Sequence, residues 1–141
     1  MRTSTLTTIT ARSLAAVLIF SAASAVGGAV ALWFTRGLGM PLSLLEGSPF
    51  PSFAGPALIL AVIIGGTHTL AAILVLRHRV SSLLWSAVAG FSVVIWIMVE
   101  TVIIHGFSWL QGLYFTAGIA ELALVFGLLG IVSWLSARDV A

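Results

Sequence analysis

The sequence predicts an all-α fold: a polytopic membrane protein with four transmembrane helices in a compact antiparallel bundle, N-in and C-in, forming one transmembrane domain over residues 1–141. Three observations predict it. Residues of the set AVILMFWYC make up 60% of the chain and charged residues only 7%, against roughly 45–50% and about 25% in soluble domains. Four stretches are each long enough to cross the roughly 30 Å hydrocarbon core of a bilayer. The arginines gather at one set of helix ends.

The first helix is expected over 13–34. Ala23-Ser24-Ala25 resembles a signal-peptidase site, but the apolar stretch runs unbroken to Phe34, longer than a signal core, so it reads as a spanning helix. The threonine-rich residues before it form a cytoplasmic tail or an early extension of that helix. The second helix is expected over 56–76, the third over 82–104 and the fourth over 110–134. The short breaks at 77–81 and 105–109 make neighbouring hairpins.

The long outer loop, 35–55, contains Pro41, Pro49 and Pro51, with Pro56 just beyond it. It is mostly apolar, with Leu42, Leu44, Leu45 and Phe50 expected to dip into lipid or protein, as an interfacial connector or as a lid over the bundle mouth.

Orientation follows from charge. With both ends inside, Arg2, Arg12, Arg77, Arg79 and Arg138 are cytoplasmic and only Arg36 is outside, which the positive-inside rule favours. The expected location is the cytoplasmic membrane. Trp33, Trp85, Trp109 and Trp134 fall at helix ends as interfacial anchors, leaving Trp96 deep in the third helix.

Composition also excludes chemistries. No cysteine or lysine is present, which removes disulfides, thiolate metal sites, iron–sulfur clusters and Schiff bases. The basic sequence pI of about 10.6 arises from topology arginines, so no nucleic acid partner is expected. No cofactor and no metal site are expected. His68 and His105 differ in depth by roughly 15–20 Å of helix rise, too far for bis-histidine haem.

Helix association in lipid relies on small residues and buried hydrogen bonds. The second helix carries Ala57, Ala61, Gly65, His68 and Ala72 at helical spacing, and the fourth carries Thr116, Ala120, Ala123, Gly127 and Gly130. The third has Ser82, Ser86 and Gly90, and the first has Ser21, Ala25 and Gly28. Such stripes serve a bundle or a homo-oligomer.

Function concentrates on the few polar groups within the spans, because an ionised side chain at mid-bilayer costs about 2.5–3.5 kcal/mol on insertion scales. Helix rise puts His68, Glu121 and Ser92 at one level near mid-membrane, and Glu100 shallower, beside Gln111, Tyr114 and Trp96. The expected site is a polar seam between the third and fourth helices, running from Glu100 to Glu121 with His68 beside it. Glu100, Tyr114, Gln111, Trp96, Ser92, Glu121 and His68 are the candidate ligand-binding residues. Each also has a structural role open to it: His68 and Glu121 as hydrogen-bonded packing residues, Glu100 as an interfacial group paired with Tyr114 or Arg36.

The run Gly65-Gly66-Thr67-His68-Thr69-Leu70-Ala71-Ala72 leading to Arg77, in a four-helix chain of this length, resembles the DoxX-like small membrane proteins. That resemblance covers the bundle in outline and implies association with membrane redox or quinone-linked assemblies. Members often carry a carboxylate near those glycines, whereas this chain keeps its carboxylates at Glu100 and Glu121.

Three functions are carried forward. The leading one is binding or transport of a small lipophilic or cationic ligand in an intramembrane polar pocket, linked to protonation of Glu121 and His68. The second is an intramembrane isomerase or cyclase on an isoprenoid, sterol or quinone, with Glu100, Glu121 and His68 as acid/base candidates. The third is an accessory subunit of a membrane redox complex, docked through its small-residue stripes.

Overall fold

The computed structural model describes residues 2–104 and 108–139. His105 lies outside the described residues, as do the side chains of Arg2, Trp134 and Arg138. Four helices follow one another: α1, Arg2–Phe34; α2, Ala54–Leu76; α3, Ser82–Ile104; and α4, Trp109–Asp139. Among the described residues there is no strand, and each helix is long and apolar enough to cross a membrane, as in a multi-pass membrane protein.

α1 starts well before Ser13. Nothing between Arg2 and Val26 is glycine or proline, and Thr10 returns its hydroxyl to the Leu6 carbonyl at 2.8 Å, so the helix has no reason to stop at the bilayer edge. Its 33 residues span about 50 Å at 1.5 Å per residue.

α1 and α2 end alike. The Gly37 N–H bonds the Leu32 carbonyl and the Arg36 N–H the Trp33 carbonyl, with Arg36 at φ 55. Arg79 and His78 bond Leu74 and Val75 in the same way, with His78 at φ 50. Both are Schellman closures with a side-chain-bearing residue in the left-handed position.

After α1 the chain turns through Gly37 and Gly39, at φ 119 and φ 80. A short 3₁₀ turn, Leu42–Leu45, then folds back. Leu45 and Phe53 are buried with Leu32 of α1 and Ala57 of α2, and Met40, Phe50 and Ile103 pack around them. Of the four loop residues expected to dip inward, Leu45 does so fully and Leu44 and Phe50 in part, while Leu42 stays exposed.

Gly37 is doubly constrained. Its φ is unsuited to other residues, and a Cβ there would meet the Phe53 ring at 2.5 Å. Gly37→Ala is therefore expected to destabilise by about 2 kcal/mol or more, the sum of a left-handed penalty and overpacking. The unfolding midpoint in detergent measures it, and an unshifted midpoint would refute this account of the turn.

The helices contact in ring order, α1 on α2, α2 on α3, α3 on α4 and α4 back on α1. Their surfaces are arranged for lipid. Phe20, Val62, Phe91, Ile95, Ile119 and Phe126 are exposed, while Ser21, His68, Ser86, Gln111 and Glu121 are buried. A soluble protein cannot present so much apolar surface to water.

Alanine and glycine mediate the contacts, as packing without a hydrophobic drive requires. A Cβ on Gly65 would meet Val26 of α1 at 2.8 Å, and one on Gly90 would meet Leu122 at 3.0 Å. The stripe expected on α2 faces protein, with Ala57, Gly65, His68 and Ala72 buried and Ala61 half-buried.

The stripe expected on α4 does not. Thr116, Ala123, Gly127 and Gly130 are exposed, Ala120 is half-buried, and the buried face is Gly118, Glu121, Leu122, Val125 and Leu128. The reason is energetic: leaving Glu121 against lipid would cost more than exposing several small residues.

One element departs from simple helical periodicity. Leu60–Gly65 of α2 is a π-helical segment, which winds one extra residue into its turn. The carbonyls at its end are each met by a side-chain donor from the next turn: Ile63 by Thr67 at 2.6 Å, Ile64 by His68 at 2.7 Å, and Gly65 by Thr69 at 2.7 Å. The run Thr67-His68-Thr69 thus supplies the groups that satisfy a loosened backbone where water is absent.

Candidate functional site

Two of the predicted site residues meet directly. His68 Nε2 of α2 lies 3.0 Å from Glu121 Oε2 of α4, and both side chains are 0% exposed. The other carboxylate oxygen, Oε1, accepts the hydroxyl of Ser21 from α1 at 2.9 Å. On the far side of the imidazole, Nδ1 donates to the Ile64 carbonyl at 2.7 Å.

The string continues to α3. Thr67 Oγ approaches the same Ile64 carbonyl at 3.2 Å and the Ser92 hydroxyl at 3.3 Å. A string of polar contacts therefore touches all four helices at one level: hydrogen bonds run from Ser21 to Glu121 to His68 to Ile64, and Thr67, which gives its hydrogen to Ile63, lies beside Ser92 of α3, which donates to Ala89. The end of the π-helical segment is its hub.

This arrangement alters the expected seam. Glu121 does not face α3; it turns to α1 and α2, while Ser92 faces α2 rather than α4. The α3–α4 contact is occupied instead by glycine. A Cβ on Gly118 would lie 2.6 Å from Val93, 2.8 Å from Val94 and 3.2 Å from the Gly90 carbonyl. Backbones this close leave no space for a polar channel between them.

Glu100 stands apart from the pair. It is half-buried and makes no hydrogen bond or ion pair among the described residues. Between its level and Glu121 lies an apolar cluster, Ala25, Ile64, Val93 and Ile97, with Trp96 and Tyr114 packed against it. Tyr114 also stacks on Phe20 of α1, with ring centroids 6.5 Å apart.

Gln111 is engaged elsewhere. Its Oε1 accepts the Ser108 N–H at 2.8 Å, while its own N–H donates to Ser108 Oγ at 3.3 Å. That reciprocal pair is a capping box at the start of α4. The spacing Ser108-x-x-Gln111 was its signal.

Ser21 is the residue that sequence reasoning undervalued: it was placed on a packing stripe, yet it bonds the buried carboxylate. Among the described residues no group of three or more His, Cys, Asp or Glu side chains could hold a metal.

Between α1 and α4 lies a groove of about 360 Å³ open to the side. Ala16, Val17 and Phe20 of α1 and Leu113, Thr116, Ala117 and Ala120 of α4 line it. Phe20 precedes Ser21 and Ala120 precedes Glu121 in sequence, so the groove wall and the buried triad share the same helical turns.

Comparison with protein-family models, with curated proteins and with solved structures gives no match.

Proposed function

We propose that the chain is a multi-pass protein of the cytoplasmic membrane, a compact antiparallel bundle with both termini inside, that binds or transports a small lipophilic or cationic ligand in a proton-linked manner. The single observation that carries the reading is the His68–Glu121 pair, fully buried at 3.0 Å near the middle of the spans. Packing alone can be served by uncharged polar groups, whereas an acid beside an imidazole holds a transferable proton.

Two further features support it. The lateral groove between α1 and α4 offers an apolar ligand a seat on the helices that carry Ser21 and Glu121. Glu100 supplies a carboxylate without a protein partner among the described residues, at a depth where a cation entering from outside would meet it. The arginine distribution supports the orientation.

The enzyme reading asks for a chamber in which Glu100 and Glu121 reach one substrate. Glu121 is engaged by Ser21 and His68 instead, and an apolar cluster separates it from Glu100.

The test is uptake of tetraphenylphosphonium into proteoliposomes under an imposed proton gradient, measured for wild type, Glu121→Gln and Glu100→Gln. Glu121→Gln is expected to lower proton-linked uptake by about tenfold or more, equivalent to about 1.4 kcal/mol. Glu100→Gln is expected to weaken binding with the proton linkage kept. Wild-type uptake equal to that of protein-free vesicles, or unchanged uptake in both folded variants, would overturn the proposal.

A further inference from the structure

We infer that Ser21 is a positioning residue that, together with the Ile64 carbonyl, makes the His68–Glu121 pair a one-proton site and ties its proton count to the α1–α4 contact. This deepens the proposed function and rests on its reading of the pair as the proton-handling centre.

The inference follows from counting hydrogens. A backbone carbonyl can only accept, so the 2.7 Å contact with Ile64 requires a hydrogen on His68 Nδ1. The Ser21 hydroxyl donates to Glu121 Oε1, which makes that oxygen an acceptor. One contact remains, Nε2 to Oε2 at 3.0 Å, and it has room for one hydrogen.

Imidazolium with carboxylate, or imidazole with carboxylic acid, both satisfy it with the same single proton. With none, two lone pairs face each other. With two, either two hydrogens face each other or the acid hydrogen moves to Oε1. In the latter case the acid hydrogen takes the Oε1–Ser21 contact, and Ser21 turns from donor to acceptor there. A helical serine then has the carbonyl one turn back as its acceptor. The second proton thus reverses the hydrogen bond between Ser21 of α1 and Glu121 of α4.

The surroundings leave this count to the pair itself. From α1 the pair receives Ser21 and from α2 the Ile64 carbonyl, while α3 approaches only with Ser92, against Thr67 of α2. The other titratable groups of the neighbouring spans are displaced along the axes. Glu100 is about 12 Å from Ser92 along α3, and Tyr114 about 10 Å from Glu121 along α4, by helix rise.

The experiment uses the full chain in lipid bilayers with ¹⁵N-labelled histidine, His68 being assigned by its loss in His68→Gln. In wild type, His68 Nδ1 is expected to be protonated, with Nε2 reporting a single shared proton. Ser21→Ala frees Oε1, so the carboxyl group can exchange its two oxygens. The Nε2 resonance and the Nε2–hydrogen distance are expected to move away from wild type while Nδ1 stays protonated. Ser21→Thr, which restores a hydroxyl, returns both towards wild type, and Ser21→Cys, a weak donor of similar size, falls between should the added methyl of Thr prevent folding.

A merely structural serine would lower stability and leave both readings of Nε2 where they were; that result overturns the inference. A His68 ring protonated on Nε2 alone in wild type also overturns it. The two proposals fail separately. A spectral response with no tetraphenylphosphonium uptake rejects the transport reading and keeps the one-proton site, whereas proton-linked uptake with an unmoved Nε2 signal in Ser21→Ala does the reverse.

Discussion

Glu121→Leu is expected to destabilise the protein by about 3–5 kcal/mol, the usual cost of removing one partner from a buried polar pair. The leucine fills much of the space but leaves His68 Nε2 and the Ser21 hydroxyl without the oxygens they now contact. Neither side chain can reach water, since His68 is 0% and Ser21 2% exposed. The double variant His68→Leu with Glu121→Leu removes both members of the pair, and replacing a buried pair by apolar groups is often near neutral.

The double variant is therefore expected to be more stable than Glu121→Leu alone, with a coupling energy of about 1–3 kcal/mol in the double-mutant cycle. Unfolding in mixed micelles measures all four corners. Additive losses would show that the two side chains do not interact, and that the string across the helices has no energetic content at its centre.

The second large effect is at the α3–α4 contact. Gly118→Val is expected to cost about 3 kcal/mol or more, above the common range for overpacking by a methyl or two. Even the first carbon would press on Val93 at 2.6 Å and Val94 at 2.8 Å, with the Gly90 carbonyl at 3.2 Å behind them. Valine side chains can be cut back, but a backbone carbonyl cannot. Gly118→Ala with Val93→Ala is accordingly expected to recover part of the loss of Gly118→Ala. Thermal unfolding compares them, and full tolerance of Gly118→Val would mean that the two helices have freedom to part.

The spans were legible because transfer energy alone identifies a stretch of about 20 apolar residues. His68 and Glu121 were legible for the complementary reason: a titratable group in a span is costly enough to demand an explanation. Ser21 was harder to assign because a membrane helix can satisfy a serine with its own carbonyl. Ser24 does so with Phe20 and Ser86 with Ser82, and sequence gives no sign of which serine will turn outward.

The errors have one cause in common. Small residues mark two faces of α4, and the stripe of Thr116, Ala120 and Ala123 competes with the face of Glu121 that the seam already required to be buried; only the latter is. The seam between α3 and α4 failed with it, because Gly90 and Gly118 bring those helices too close. The π-helical segment was invisible to a reading that assumes 3.6 residues per turn throughout. Its trace was the Gly65-Gly66 pair beside three consecutive hydrogen-bonding side chains.

That segment gives α2 two phases. An additional residue in one turn rotates everything after it by about 100° relative to an unbroken α-helix, so Ala57 and His68, which regular winding would hold within about 20° of one face, are turned apart: Ala57 is buried with Leu32 and Phe53, and His68 meets Glu121. Removing one residue within Leu60–Gly65 would restore regular winding and leave composition, span length and arginine placement almost untouched. It would also keep the imidazole towards Glu121, because the residue taken out is the one the wide turn absorbs, whereas regular winding with every residue kept would swing it away by about 100°. In this chain the register of a single turn, more than the identity of any residue in it, decides whether the acid and the base are partners.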